Sequence, residues 1–412
     1  MPSLPNADVQ PFELPTRDGL ACIRGQIDLP KGDAGSRFPV VLIVNGGWFM
    51  ERDGFMGNSG TERDLIYREL AKALVAAGVA AVRYDNRGVS GNEMTMPACA
   101  DGKSEPEIAR HYFKTCIDAD VRKTVSVQTQ LDDVEQVWEF AVNHTRVDPQ
   151  RVVVWAHSEG GLNVARLISA ERIRPLGVIT VGAPASSPAE SAHWIMVNRY
   201  AEQLMRWDDD ADGRVTQADV DRHYPNDSVF PVEAIKPESL AAPGDGWTMA
   251  TALDHFETIY AKTKAATQAK PDDSIYPPAE HECLTIAASN NWYRQWFEDT
   301  RPMIDHFAKY RGHISLHFGE IDSQFSGPRE MAFAEQRIKD VAFIKAPRLV
   351  FHQARGHSLR IGEPCAGPMD DEVLGSLVKE VHEILSGTCT VAAQSATMTG
   401  ADGGTNRLPR TF

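Results

Sequence analysis

Long apolar runs are missing from this chain of 412 residues, and so are clusters of basic side chains. No stretch reaches the ~18–20 apolar residues that a membrane helix needs, so no helical span is expected. Lys and Arg number 42 against 57 Asp and Glu, for a formal net charge of −15, and they gather nowhere into a patch. Nucleic acid and anionic membranes are therefore poor partners. Cys22, Cys99, Cys116, Cys283, Cys365 and Cys389 include no C-x-x-C pair. That argues against a zinc site and suits free thiols in a reducing cytoplasm. Met1-Pro2-Ser3-Leu4-Pro5-Asn6 offers neither a basic nor an apolar leader region, so no signal peptide is expected. The expected location is cytoplasmic; periplasmic or secreted is the alternative if a leader is absent from this chain. In an exported protein Cys99 with Cys116, and Cys365 with Cys389, would be the pairs to bridge. No internal repeat is present.

What is there is a soluble composition, 42% hydrophobic and 24% charged, in a chain long enough for a large core. Val9–Leu14 and Ala21–Leu29 read as strands joined by a turn at Thr16-Arg17-Asp18-Gly19. Phe38–Val44 is a continuous apolar run, as in a strand covered on both faces. Thr61–Ala77 and Val125–Asn143 carry helical periods, and Val79–Tyr84 and Gly177–Val181 are strands. This alternation from residue 38 to 184 predicts a mostly parallel sheet with helices on both faces. It then stops. Residues 186–310 are helical and loop-like, with Trp194, Trp207, Trp247, Trp292 and Trp296. The rhythm resumes with strands at His313–Phe318 and Leu349–Phe351 and helices at Glu330–Arg337 and Asp370–Leu385. The expected organisation is an α/β core over 1–185 and 311–387, an inserted helical cap over 186–310, and a tail over 388–412.

The chemistry is declared at Val152-Val153-Val154-Trp155-Ala156-His157-Ser158-Glu159-Gly160-Gly161. A β-branched run enters a tight turn and leaves into the helical pattern of Leu162, Val164, Ala165 and Leu167. This is G-x-S-x-G with Ala156 in the first glycine place, a turn that exposes a serine hydroxyl at a sheet edge. A serine nucleophile needs a base, and the base needs a third group to orient it. On such sheets the chain order is Ser, then Asp or Glu, then His. Asp322 lies just past one late strand, and His357 follows Gly356 after the next. Ser158, His357 and Asp322 are thus the expected nucleophile, base and orienting acid, with Glu320 the alternative acid. The oxyanion donors expected are the backbone N–H of Glu159 and that of Gly47 after the Phe38–Val44 strand, with Trp48 competing for the second role. Trp48 and His157 are candidate substrate contacts. His111, His193, His223, His255, His281, His306, His313, His317 and His352 are read as structural or surface residues.

A second pattern lies in the insertion. Asp208-Asp209-Asp210-Ala211-Asp212-Gly213-Arg214-Val215-Thr216-Gln217-Ala218-Asp219 has carboxylates at positions 1, 3, 5 and 12, glycine at 6 and a hydroxyl at 9. That is the EF-hand calcium-loop spacing. Asp208, Asp210, Asp212, the Arg214 carbonyl, Thr216 (through water) and Asp219 are the expected ligands. They would lie between a helix over Ala192–Trp207 and a short one over Gln217–His223. Asp219 replaces the usual Glu, whose longer reach suits bidentate ligation, so weaker binding or competition by Mg²⁺ is expected. A single loop suits a structural ion and not a sensor.

The set Asn45-Gly46-Gly47, Arg52-Asp53-Gly54, Arg83-Tyr84-Asp85-Asn86-Arg87-Gly88 and His157-Ser158-Glu159-Gly160-Gly161 resembles the α/β-hydrolase superfamily. It is most similar to bacterial EstD-like serine esterases and to serine-aminopeptidase and prolyl-oligopeptidase relatives, over roughly residues 38–184 and 312–385. Where that group has H-G-S-G-P, this chain has Asn45, Gly47 and Trp48. The oxyanion role rests on backbone and survives the change. The resemblance implies an α/β-hydrolase fold and a serine hydrolase acting on small carboxylic esters through an acyl-enzyme, with no catalytic cofactor. A peptidase or amidase, or an acyltransferase, would use the same triad. From another class, a non-catalytic calcium-binding or interaction protein on this scaffold is the rival.

Overall fold

The computed structural model describes residue 4 and residues 7–33, 35–47, 50–54, 65–89, 117–227, 229–230, 235–270, 275–276, 288–361 and 369–388. Among these, eight strands form one sheet in the order β1-β2-β4-β3-β5-β6-β9-β10. They are β1 (Ala7–Pro15), β2 (Cys22–Pro30), β3 (Phe38–Val44), β4 (Ala80–Tyr84), β5 (Val147–His157), β6 (Gly177–Val181), β9 (His313–Gly319) and β10 (Arg348–His352). β1 and β2 form an antiparallel hairpin, and β2 joins β4 antiparallel; every later pairing is parallel. This is the mostly parallel sheet expected from the alternation, in the α/β-hydrolase fold that the resemblance implies.

Period-two alternation shows why both faces are covered. On β3, Val40, Leu42 and Val44 enter one apolar cluster while Val41 and Ile43 enter the other. On β5, Val152, Val154 and Ala156 go with the first and Val153 and Trp155 with the second. Helix α1 (Ile66–Ala76) covers the second face through Ile66, Tyr67, Leu70 and Leu74. Helices α2 (Val127–Asn143) and α3 (Glu159–Ser169) cover the first. α2 starts at a Ser126–Thr129 capping box, which explains its onset two residues after the expected Val125. Thr61–Asp64, the expected start of the first helix, lie outside the described residues, as do Cys99, Cys116, Cys283, Cys365 and Cys389; Cys22 is a free, exposed thiol.

Between β6 and β9 the chain is helical. It holds α4 (Pro188–His193), α5 (Arg199–Met205), α6 (Gln217–His223), α7 (Met249–Gln268), the two-residue strands β7 (Ile275–Tyr276) and β8 (Ala288–Ser289), and α8 (Asn290–Glu298). The helix expected over Ala192–Trp207 is two helices joined through a π-helical turn at Trp194–Asn198. Val197, Tyr200, Leu204 and Trp207 are buried on its inner side, while Trp194 turns out under the Arg329 guanidinium, 5.4 Å from its ring centre. The insertion is tied at its stem. The Met303 and Ile304 amides donate to the Ser186 and Ala185 carbonyls at 3.1 and 3.3 Å. Glu330, fully buried in α9 (Gly327–Asp340), accepts from the Ala185 and Ser186 amides and the Ser186 hydroxyl at 2.8, 2.9 and 2.9 Å. No helix among the described residues is long and apolar enough to cross a membrane.

A buried polar chain joins the far edge of the sheet to the last helix, α10 (Asp371–Ser386). Glu380 takes His313 Nε2 and His317 Nε2, each at 3.0 Å, and His317 Nδ1 meets His352 Nε2 at 2.9 Å. Burial, then neighbouring His317 and Arg355, hold His352 down to about 4. Burial pushes Glu380 up, but the hydrogen bonds from His313 and His317 outweigh it and keep the carboxylate well below its usual range. The unfolded chain protonates such a histidine near pH ~6.5 and such a glutamate near ~4.3. As pH falls between ~6.5 and ~4 the unfolded state gains a proton at His352 that the folded state refuses; below ~4.3 the same holds for Glu380. Stability from both groups is present at neutral pH and lost in acid. Thermal melting from pH 7 to 4 should show a falling midpoint, less steep in His352→Gln; equal slopes for the two proteins would refute this assignment.

Candidate active site

The turn after β5 has the geometry the motif demands. Ser158 sits between β5 and α3 with φ 52° and ψ −125°, a left-handed conformation that costs a β-carbon-bearing residue about 1–3 kcal/mol. Its N–H is held by the Val181 carbonyl at 2.9 Å. A Cβ on Gly160 would lie 2.4 Å from the Asn45 carbonyl oxygen, so the helix start needs glycine there to pass under β3. Ala156 lies earlier, inside β5 and paired with Val44 and Thr180, where a methyl group fits the buried face.

The expected acid and base come together. His357 Nδ1 and Asp322 Oδ2 are 2.9 Å apart, with both residues buried. Asp322 Oδ1 accepts the Gln324 and Phe325 amides at 2.7 and 3.2 Å, which fixes the carboxylate and leaves Oδ2 for the imidazole. An ionised Asp322 accepts only, so Nδ1 carries the proton and Nε2 is left as the basic nitrogen. Glu320, the alternative acid, is exposed and takes the Ala354 amide at 2.7 Å instead. His357 packs against Gly182: a Cβ there would be 2.1 Å from the His357 carbonyl oxygen and 3.0 Å from Nδ1. Gly182 follows Val181, whose carbonyl holds Ser158. Ser158 and the imidazole therefore stand at one strand end.

The Gly46-Gly47 turn overlies the same point. A Cβ on Gly46 would come within 3.2 Å of Ser158 Cβ, and one on Gly47 within 2.2 Å of Glu159 Oε2. The Gly46 N–H donates to the Tyr67 hydroxyl at 3.0 Å, and Asn86 Nδ2 donates to the Gly46 carbonyl at 2.8 Å. Gly46 is thereby committed. The Gly47 N–H has no acceptor among the described residues, and the Glu159 N–H opens α3, where no intrahelical acceptor exists. Trp48 lies outside the described residues.

His157 is not where a substrate contact belongs. It is 1% exposed, with Nδ1 3.0 Å from the Tyr67 hydroxyl and Nε2 3.1 Å from Ser358 Oγ. Because the Tyr67 oxygen already accepts from Gly46, its proton points to Nδ1, and Nε2–H donates to Ser358. Burial, then the nearby His357 and Arg360, keep the ring well below its ordinary pKa and neutral. His157 is a strut between the glycine turn and the loop that carries His357. Sequence reasoning missed Tyr67, because one aromatic on an apolar helix face looks like any other. It also took only the amide of Glu159, although its carboxyl is buried too; the i, i+4 pair Trp292 and Trp296 was the available sign of a polar partner.

In the insertion, carboxylate oxygens of Asp208, Asp210 and Asp212 lie within 4.8 Å of one another. The Asp212 and Gly213 amides donate to Asp208 at 3.2 and 2.9 Å, winding the loop around them. Thr216 and Asp219 do not join the three. They close a capping box on α6, with Asp219 Oδ2 taking the Thr216 N–H at 2.9 Å and hydroxyl at 2.7 Å. The Arg214 side chain pairs with Asp245 at 2.7 Å.

Replacing Tyr67 with Phe would strand the Gly46 N–H and His157 Nδ1. A loss of about 1–3 kcal/mol in unfolding free energy is expected by denaturant titration, and an unchanged midpoint would count against the strut.

Residues 41–320 match the Alpha/beta hydrolase family. No curated protein matches the chain. Among solved structures, the chain is similar to DcsB in complex with its substrate analogue, at 14% identity over 91% of this chain and 99% of that one, TM-score 0.47. It is also similar to Est1E from Butyrivibrio proteoclasticus (15%, covering 92% and 98%, TM-score 0.46) and to a lipase in open form (16%, covering 92% and 99%, TM-score 0.45). Likeness at this level carries nothing about chemistry. The family match, which spans well over half of the chain, does carry membership: the protein belongs to the Alpha/beta hydrolase family.

Proposed function

We propose that the protein is a serine hydrolase that cleaves small carboxylic esters through an acyl-enzyme. One observation carries the reading: Ser158 in a left-handed turn at the same strand end as a buried Asp322–His357 pair. His357 Nε2 takes the Ser158 proton as Oγ attacks the ester carbonyl. The oxyanion faces the Gly47 and Glu159 amides. The imidazolium, stabilised by Asp322, returns the proton to the leaving alcohol, and water then repeats the sequence to release the acid. The aromatic insertion is the proposed cap over the acyl group.

A fluorophosphonate probe should label wild-type protein and not Ser158→Ala. Asp322→Asn should lower kcat about 10⁴-fold, as expected when the imidazole loses its orienting acceptor. Labelling that survives in Ser158→Ala would overturn the assignment. Faster turnover of aminoacyl-anilides than of p-nitrophenyl esters would move it to an amidase.

The acidic loop is proposed to hold a structural calcium ion on Asp208, Asp210, Asp212 and the Arg214 carbonyl. The donor set fits a hard cation: three carboxylates brought together, with no cation paired to them among the described residues. Calcium at ~100 times its Kd should raise the unfolding free energy by about 2.7 kcal/mol. No shift in melting, or the same shift in Asp208→Ala with Asp212→Ala, would remove the site.

A further inference from the structure

Glu159 carries a second structural assignment besides its amide. Glu159 is 3% exposed. Oε1 accepts the indole N–H groups of Trp292 at 2.8 Å and Trp296 at 3.1 Å, both on α8 of the insertion. Oε2 has no hydrogen-bond partner among the described residues and rests where a side chain on Gly47 would begin. Arg166, the cation acting on it from α3, is paired with Asp299 at 2.7 Å. Burial pushes the carboxyl up, against the hydrogen bonds from Trp292 and Trp296, and so favours the protonated form.

An apolar side chain would fill this space without the cost of desolvating a carboxyl. What the carboxyl adds is direction. Two donors fix one oxygen, and the planar group then sets the other oxygen against Gly47. The residue so held is the one whose amide stands beside the nucleophile, and the residue it presses on is the partner amide.

Resting on the hydrolase reading above, we propose that Glu159 is a positioning residue through which Trp292 and Trp296 of the insertion set the spacing of the two oxyanion amides. The insertion thereby acts on the rate of the chemical step, apart from any contact its side chains make with substrate.

The test uses the full chain and a small ester such as p-nitrophenyl acetate. Trp292→Phe with Trp296→Phe keeps an aromatic ring at both positions and removes both donors; Glu159→Ala removes the link from the other side. Each should lower kcat about 10- to 100-fold with KM near the wild-type value, the cost of a misplaced catalytic group. Fluorophosphonate labelling of Ser158 should slow by the same factor. Glu159→Gln, which keeps an acceptor for the indoles, should recover most of the loss seen in Glu159→Ala. A change in KM alone for the double Trp variant would overturn the proposal and make the indoles substrate contacts. So would a Glu159→Gln variant as slow as Glu159→Ala, or no change in any variant. Wild-type protein that neither labels nor turns over would sink the hydrolase reading itself. Near-ultraviolet circular dichroism of the indoles, compared between Glu159→Ala and Glu159→Gln, reports the Glu159–indole contact in either case.

Discussion

The site depends on how close β3, β5 and β6 bring their ends. Parallel pairing aligns Val44 with Ala156 and His157 with Val181, so the chain leaves three adjacent strands within a few ångströms of one point. A slip of one residue would turn every side chain of a strand to the opposite face. Val41, Ile43, Val153 and Trp155 on one side and Val40, Leu42, Val152 and Val154 on the other are all essentially fully buried, so a slip would have to repack two close-packed faces at once. The core therefore does more than stabilise. It supplies the rigidity that keeps Ser158 in a backbone conformation it would not adopt alone.

Ion pairs behind the sheet hold the loops that frame this point. Arg83 is enclosed between Asp28 and Asp53; Arg52 binds Asp85 through Nε at 3.0 Å and through its amide at 2.9 Å. Arg87 spans Asp133 and Asp18 at 2.7 and 2.5 Å. Buried pairs add little net stability over apolar residues, yet breaking one leaves a stranded charge and costs several kcal/mol. Their effect here is to give the 50–54 segment and the 85–88 turn one conformation, and Asn86 passes that order on to Gly46.

Much of this was legible from residue order. The apolar alternation, the serine turn and the late Asp and His all follow from local patterns, because strand ends and turns write themselves in a few adjacent residues. Asp322 is preferred to Glu320 for lying farther past the strand end, and in the structure it is Asp322 whose carboxyl meets the imidazole. Tyr67 and the carboxyl of Glu159 were hidden because their partners lie 90 and more than 130 residues away. Thr216-Gln217-Ala218-Asp219 was ambiguous for a different reason: the same four residues close an EF-hand loop and form a helix capping box. In the structure the capping bonds take both side chains.

The stem of the insertion has a consequence for how this protein is able to vary. Where Ala185 and Ser186 meet Met303, Ile304 and Glu330, the outgoing and returning chain are already joined. Everything beyond is, to the core, a closed loop, and doubling the length of such a loop adds only about 0.6 kcal/mol of closure entropy. Residues can be gained, lost or rebuilt above the stem while the sheet beneath registers almost nothing. That makes the insertion an exchangeable fitting on a fixed mount, and its linkages to α3, α8 through Glu159 and Asp299 through Arg166, are the parts that any replacement would have to reproduce.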